Sequence, residues 1–197
     1  KAVFLLEPFV DAGLGPILQD FGLTVGRQVI LDPVQHYWTD PGTPAVTSYT
    51  RHKLTRNLPL TFYPGTGEVS PLPGGLPNDV TAAPLVETSD QAVLDGIDEA
   101  PRSRTLVAIA TKALPAEGEP NRAAQLVLIG DGDFATNSFF PILGNGTLFL
   151  NAISVLAEQE RLVDITPRNY ELPRITLSNR QMQLTFVVST ILLPGLL

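Results

Sequence analysis

Residues Ala123 to Glu160 (AAQLVLIGDGDFATNSFFPILGNGTLFLNAISVLAEQE) constrain the fold more than any other stretch, because they write a strand, an acidic loop and a helix in succession. Gln125 to Gly130 is short and almost continuously apolar, which suits a central strand buried on both faces of a parallel sheet. Gly130-Asp131-Gly132-Asp133 then supplies a turn at its carboxyl end. Past it, Leu148, Ala152, Val155 and Leu156 fall at helical spacing, with Asn145 or Thr147 placed to cap the helix.

Read in order, Ala2 to Leu6 is a buried strand and Asp11 a cap for a short helix. Leu14, Ile17, Leu18 and Phe21 make that helix's apolar face and Gly22 ends it. Val25 to Leu31 returns as a strand, giving a βαβ unit with a right-handed crossover. Gln35 to Pro77 mixes aromatic, Pro and Gly residues without a period, so irregular structure is expected, with a helical turn near Tyr49 to Leu58. Such a stretch is either a functional or partner surface or a cover for a sheet edge. Val80 to Thr88 reads as a strand that Pro84 confines to an edge or a bulge. Thr105 to Thr111 follows as a neighbouring strand, Glu117 to Pro120 is a turn, and Leu162 to Thr166 and Arg174 to Leu177 are further strand candidates.

These elements predict an α/β fold, flavodoxin-like or class I glutamine-amidotransferase-like, with a mostly parallel sheet and helices on both faces. Ligands of such sheets settle at the carboxyl ends of the strands, where Glu7, Asp32, Lys112, Asp131 and Asp133 are expected.

Most function classes lose support on inspection. A formal charge of −7 and no basic stripe argue against a nucleic-acid partner. With no cysteine there is no disulfide, thiolate metal site or amidotransferase nucleophile. His36 and His52 have no partner at metal-ligand spacing, and no G-x-S-x-G elbow is present. Gly130 to Ala135 matches G-x-G-x-x-A, but two carboxylates in that turn would repel a pyrophosphate. Asp131 and Asp133 also resemble the D-x-D of haloacid-dehalogenase phosphotransferases. That pattern wants Thr where Ala135 stands, and no Lys follows downstream. A Mg²⁺ site on the two aspartates competes with a simpler role as turn carboxylates. Asn145-Gly146-Thr147 is formally a glycosylation sequon, already explained as a helix entry.

Both ends look cut from a longer chain. Lys1 enters a strand without preamble, and Leu184 to Leu197 is free of charge. A membrane helix needs roughly 20 apolar residues, so the tail is either a short packed segment or the opening turns of a truncated transmembrane helix, the reading preferred here. Arg161, Arg168, Arg174 and Arg180 before it suit either lipid headgroups or a solvated linker.

The residues resemble a family. LVLIGDGDFATNSFF followed by GNGTLFLNAISVLAEQERLVDITPR is similar to the carboxyl-terminal half of the gliding-motility-associated ABC-transporter auxiliary component family. Asp131, Asp133, Phe134, Asn137, Asn145, Leu148, Phe149, Asn151 and Pro167-Arg168 occupy its recurrent positions, with Val155 where tryptophan is usual. FLLEPFVDAGLGPILQDFGLTVGRQVILDP resembles its first strand, helix and strand. SYTRHKLTRNL resembles its Y-x-x-H-P-I-T-x-G-L, with Lys53 and Asn57 replacing Pro and Gly.

The resemblance implies a non-catalytic, extracytoplasmic domain (residues 1–177) anchored to the cell membrane by a helix beginning in residues 178–197. It also implies ABC permease and ATPase subunits as partners, and no cofactor. Glu7, Asp131, Asp133 and Asn137 are the candidate ligand contacts. The rival readings are a small-molecule or carbohydrate-binding domain using Asp131, Asp133 and Asn137, or a divergent Mg²⁺-dependent hydrolase using the two aspartates.

Overall fold

The computed structural model describes residues 1–10, 12–114 and 123–157, with 180, 183, 186 and 188. The chain divides into two units, Lys1–Ile165 and Thr166–Leu197. In the second, Arg180, Gln183 and Phe186 are helical. Among the described residues no helix is long and apolar enough to cross a membrane. Asp11, the turn at Glu117 to Pro120, the strand candidates at 162–166 and 174–177, and nearly all of the apolar tail lie outside the described residues.

The first unit runs β1 (Ala2–Leu5), α1 (Gly15–Asp20), β2 (Leu23–Leu31), β3 (His36–Tyr37), β4 (Asp40–Val46), β5 (Thr61–Phe62), β6 (Gly67–Pro71), β7 (Val80–Glu87), β8 (Val93–Leu94), β9 (Thr105–Ala113), β10 (Ala123–Ile129) and α2 (Asn145–Leu156). A 3-10 turn at Asp133–Ala135 precedes α2. The main sheet has the order β1-β10-β9-β7; two smaller ones are β6-β2-β8 and β3-β4-β5.

This corrects the expected flavodoxin-like or amidotransferase-like α/β fold. The described residues are 36% strand and 16% helical, with two α-helices in the first unit and sheets that are mixed or antiparallel. One pair is parallel among the described strands, β1 with β10; β9 runs antiparallel to both β10 and β7. The expected β1-α1-β2 crossover does not form, because β2 leaves the main sheet and pairs antiparallel with β6 and β8. The stretch 35–77, expected to be irregular, holds β3, β4, β5 and β6. Two of those strands are two residues long, too short to write a period into the sequence. Residues 51–57 are bends and turns, not a helix.

The apolar run of β10 has a direct cause in packing. Leu126 and Leu128 join Leu18 of α1 with Leu23 and Val69 in one core cluster. Val127 and Ile129 join Leu148, Ala152 and Leu156 of α2 with Tyr63 and Phe134 in another. Alternate residues serve opposite faces, so a strand covered on both sides reads as continuously apolar whichever way its neighbours run. Burial of this kind stabilises by about 25 cal/mol per Å² of apolar surface removed from water.

Two predicted details hold. β7 is an edge strand of its sheet, with register shifts beginning at Pro84, where the ring nitrogen has no proton to donate. α1 ends at Gly22, whose φ of +64° suits glycine. The cap of α1 differs: Leu14 occupies that place and no side chain caps the helix.

The main sheet and the β6-β2-β8 sheet meet backbone to backbone. The Gly67 amide donates to the Gly130 carbonyl at 2.7 Å, and a Cβ on Gly130 would lie 2.2 Å from the Gly67 carbonyl oxygen. The Thr66 hydroxyl also donates to the Gly130 carbonyl, at 3.0 Å. Gly130 is therefore required by close approach of two chains. It opens the acidic turn.

Candidate functional site

Parallel pairing brings the carboxyl ends of β1 and β10 together, which places Glu7 beside the turn after Ile129. Glu7 Oε1 accepts from the Gly132 amide (2.8 Å) and the Asp133 amide (3.0 Å). Asp131 Oδ1 accepts from the Phe134 amide at 3.0 Å, starting the 3-10 turn. The Asp131 side chain is fully buried, at 0% exposure, and among the described residues its Oδ2 has no hydrogen-bond partner.

Burial pushes the Asp131 carboxyl up to about 8, and the negative charges of Glu7 and Asp133 add to the effect. The hydrogen bond from the Phe134 amide works against it. Tyr63 lies alongside, its ring stacked on Phe134 at 5.2 Å and its hydroxyl 3.0 Å from Thr61 Oγ1. Burial raises the Tyr63 phenol well above its usual range, and Asp131 adds to that shift.

Of the predicted contacts, Glu7 and Asp131 are brought together and engaged within the turn. Asp133 and Asn137 are exposed. Among the described residues no three His, Asp or Glu side chains gather where they could hold a metal. The arrangement fits turn carboxylates better than a Mg²⁺ site. A sugar or small-molecule site that depended on Asp131 would have to reach a sealed side chain.

Two other predicted members of this strand-end cluster lie elsewhere. Lys112 pairs with Ala124 at the opposite end of β10, because β9 is antiparallel; its Nζ is 3.8 Å from Asp20 and 4.0 Å from Asp79. Asp32 ends β2, in another sheet. There it accepts from the amides of Val34, Gln35 and Ser89 and from the Ser89 hydroxyl, stapling the turn after β2 to the segment after β7.

Asn145 does not cap α2, whose N-cap is Gly144. It is 0% exposed, accepting from the Phe62 amide (3.1 Å) and donating to the Phe62 carbonyl (3.0 Å). This side chain bonds β5 as a neighbouring strand would, and both ends of the sequon amide are occupied. At Asn57, where the resembled family has glycine, φ is +56°, a conformation asparagine tolerates.

Two features carry no sequence period. Arg104 is fully buried, its guanidinium donating to Glu68 (2.7 Å) and Glu99 (2.5 Å), while Arg102 forks onto both oxygens of Glu68. The signal available was a charged pair, Arg-Ser-Arg, directly before an apolar run. Trp38, the chain's single tryptophan, is 84% exposed between β3 and β4 with φ +57°. Its ring stacks on Tyr37 at 5.5 Å, Tyr37 stacks on buried Phe62 at 4.5 Å, and Phe62 meets Phe139 edge-on at 5.7 Å. An exposed aromatic side chain is thereby braced from the core outward.

No protein-family model matches the chain. No curated protein matches it either. Four solved chains are similar. One is described as "mmIFT52 N-terminal domain": 14% identical, TM-score 0.52, with the match covering 73% of this chain and 56% of that one. The chain thus spans little more than half of that structure, and the likeness is one of fold.

Proposed function

We propose that this chain is a non-catalytic auxiliary domain of an ABC transport assembly, membrane-anchored, extracytoplasmic, and bound to a transporter subunit. The transporter assignment comes from the sequence resemblance. The observation that supports the non-catalytic reading is the state of the acidic turn: Glu7 Oε1 holds two backbone amides and Asp131 is sealed, so the two aspartates do not present a carboxylate pair to solvent. The contact surface in this reading is the hairpin tip at Tyr37 and Trp38, because an exposed, braced tryptophan is the type of side chain that dominates binding energy at protein interfaces. Asp133 and Asn137 are left as surface groups. The anchor belongs to the apolar segment from Leu184.

The test is affinity capture of the tagged full-length protein from membranes of the organism that makes it, with mass spectrometry of the co-purifying chains. A permease and an ATPase subunit are expected. Absence of both, together with Mg²⁺-dependent turnover of a phosphate ester by the purified domain, would overturn the proposal.

A further inference from the structure

The buried end of β10 holds an unpartnered group that the proposed function leaves unused. Asp131 has no solvent exposure, one carboxyl oxygen engaged by the Phe134 amide and the other without a partner among the described residues. The charges acting on it are both negative: Glu7, which follows β1, and Asp133, on the same turn. The phenol of Tyr63, which follows β5, is the third titratable group against it. An ionised carboxylate placed there is cut off from bulk solvent, with the amides of Phe134 and Asp133 to favour it, and it faces the carboxylate that holds the turn's own amides.

We infer that Asp131 is kept as a neutral acid in the folded chain and acts as a proton-operated latch on the turn 130–136. With the proton in place, Glu7 sits on the amides of Gly132 and Asp133, and the turn is closed. When the proton leaves, the new charge repels Glu7 while strengthening the acceptor for the Phe134 amide. The amides of Asp133 and Phe134 both favour the charged form of Asp131, so the latch releases the Gly132 amide and keeps the other two. A midpoint near 8 puts the switch on the alkaline side of neutrality.

The test is a carboxyl-carbon NMR titration of the aspartate-labelled domain from pH 4 to 10, with amide exchange followed at the same pH values. One aspartate resonance is expected to titrate near 8 and to be missing from Asp131→Asn. Across that midpoint, exchange at Gly132 should rise at least tenfold relative to Phe134, a ratio from which ordinary base catalysis cancels. Titration of Asp131 below about 5, or an unchanged ratio while it ionises, would overturn the latch. Should Asp131→Asn fold poorly, Asp133→Asn assigns the neighbouring resonance and the wild-type titration decides alone.

Discussion

At Asp131 two demands on one side chain conflict. Its Oδ1 is needed to start the turn into Phe134, yet the site offers a carboxylate no solvent. The consequence for stability has a definite sign. The folded value lies near 8 and an unfolded aspartate near 3.9, so between those values the folded chain holds a proton that the unfolded chain has released. Stability from this group is complete below pH 4, falls as pH rises, and levels off above 8. Asp131→Asn removes that dependence while keeping an acceptor for Phe134. In urea titrations the variant should gain on the wild type by up to about 1.4 kcal/mol per pH unit between 5 and 8, and by nothing further above 9. A constant difference across this range would contradict a buried neutral acid.

Among the elements, strands with long apolar runs were legible and their partners were not. β9 and β10 announce themselves through burial on both faces, but that pattern is the same for parallel and antiparallel neighbours, which is why the sheet read as parallel. β2 shows the same limit from the other side. Its residues form a strand where expected, and pairing with β6 and β8 takes it out of the main sheet. The strands of 35–77 were hidden because they are held by distant groups. β5 depends on Asn145, 83 residues away in sequence, for the bonds a neighbouring strand would give. Asn145→Ala removes both bonds and leaves the Phe62 amide and carbonyl buried, so a loss of roughly 2–3 kcal/mol is expected in chemical denaturation. Substitution of the exposed Asn137 should change little by the same measure. Within the candidate site, Glu7 and Asp131 were found from sequence because strand ends gather where strands are parallel. Lys112 and Asp32 were misplaced because their strands are not. Arg104 and Trp38 escaped notice since neither one buried arginine paired with distant glutamates nor one exposed aromatic leaves a periodic trace.

At the scale of the whole first unit, a mixed sheet with helices of six and twelve residues presents its acidic turn as an internal brace and its hairpin tip as an exposed aromatic feature. In the proposed function, recognition is thereby separated from the strand ends, where an α/β fold would have put it. The most direct measurement of it is binding of the purified domain to the captured transporter subunit, comparing wild type, Trp38→Ala and Asp133→Asn/Asn137→Ala by calorimetry. The account predicts that loss of Trp38 weakens binding at least tenfold while the double variant binds as the wild type does. Unchanged binding by Trp38→Ala together with loss in the double variant would place recognition at the acidic strand end and contradict it.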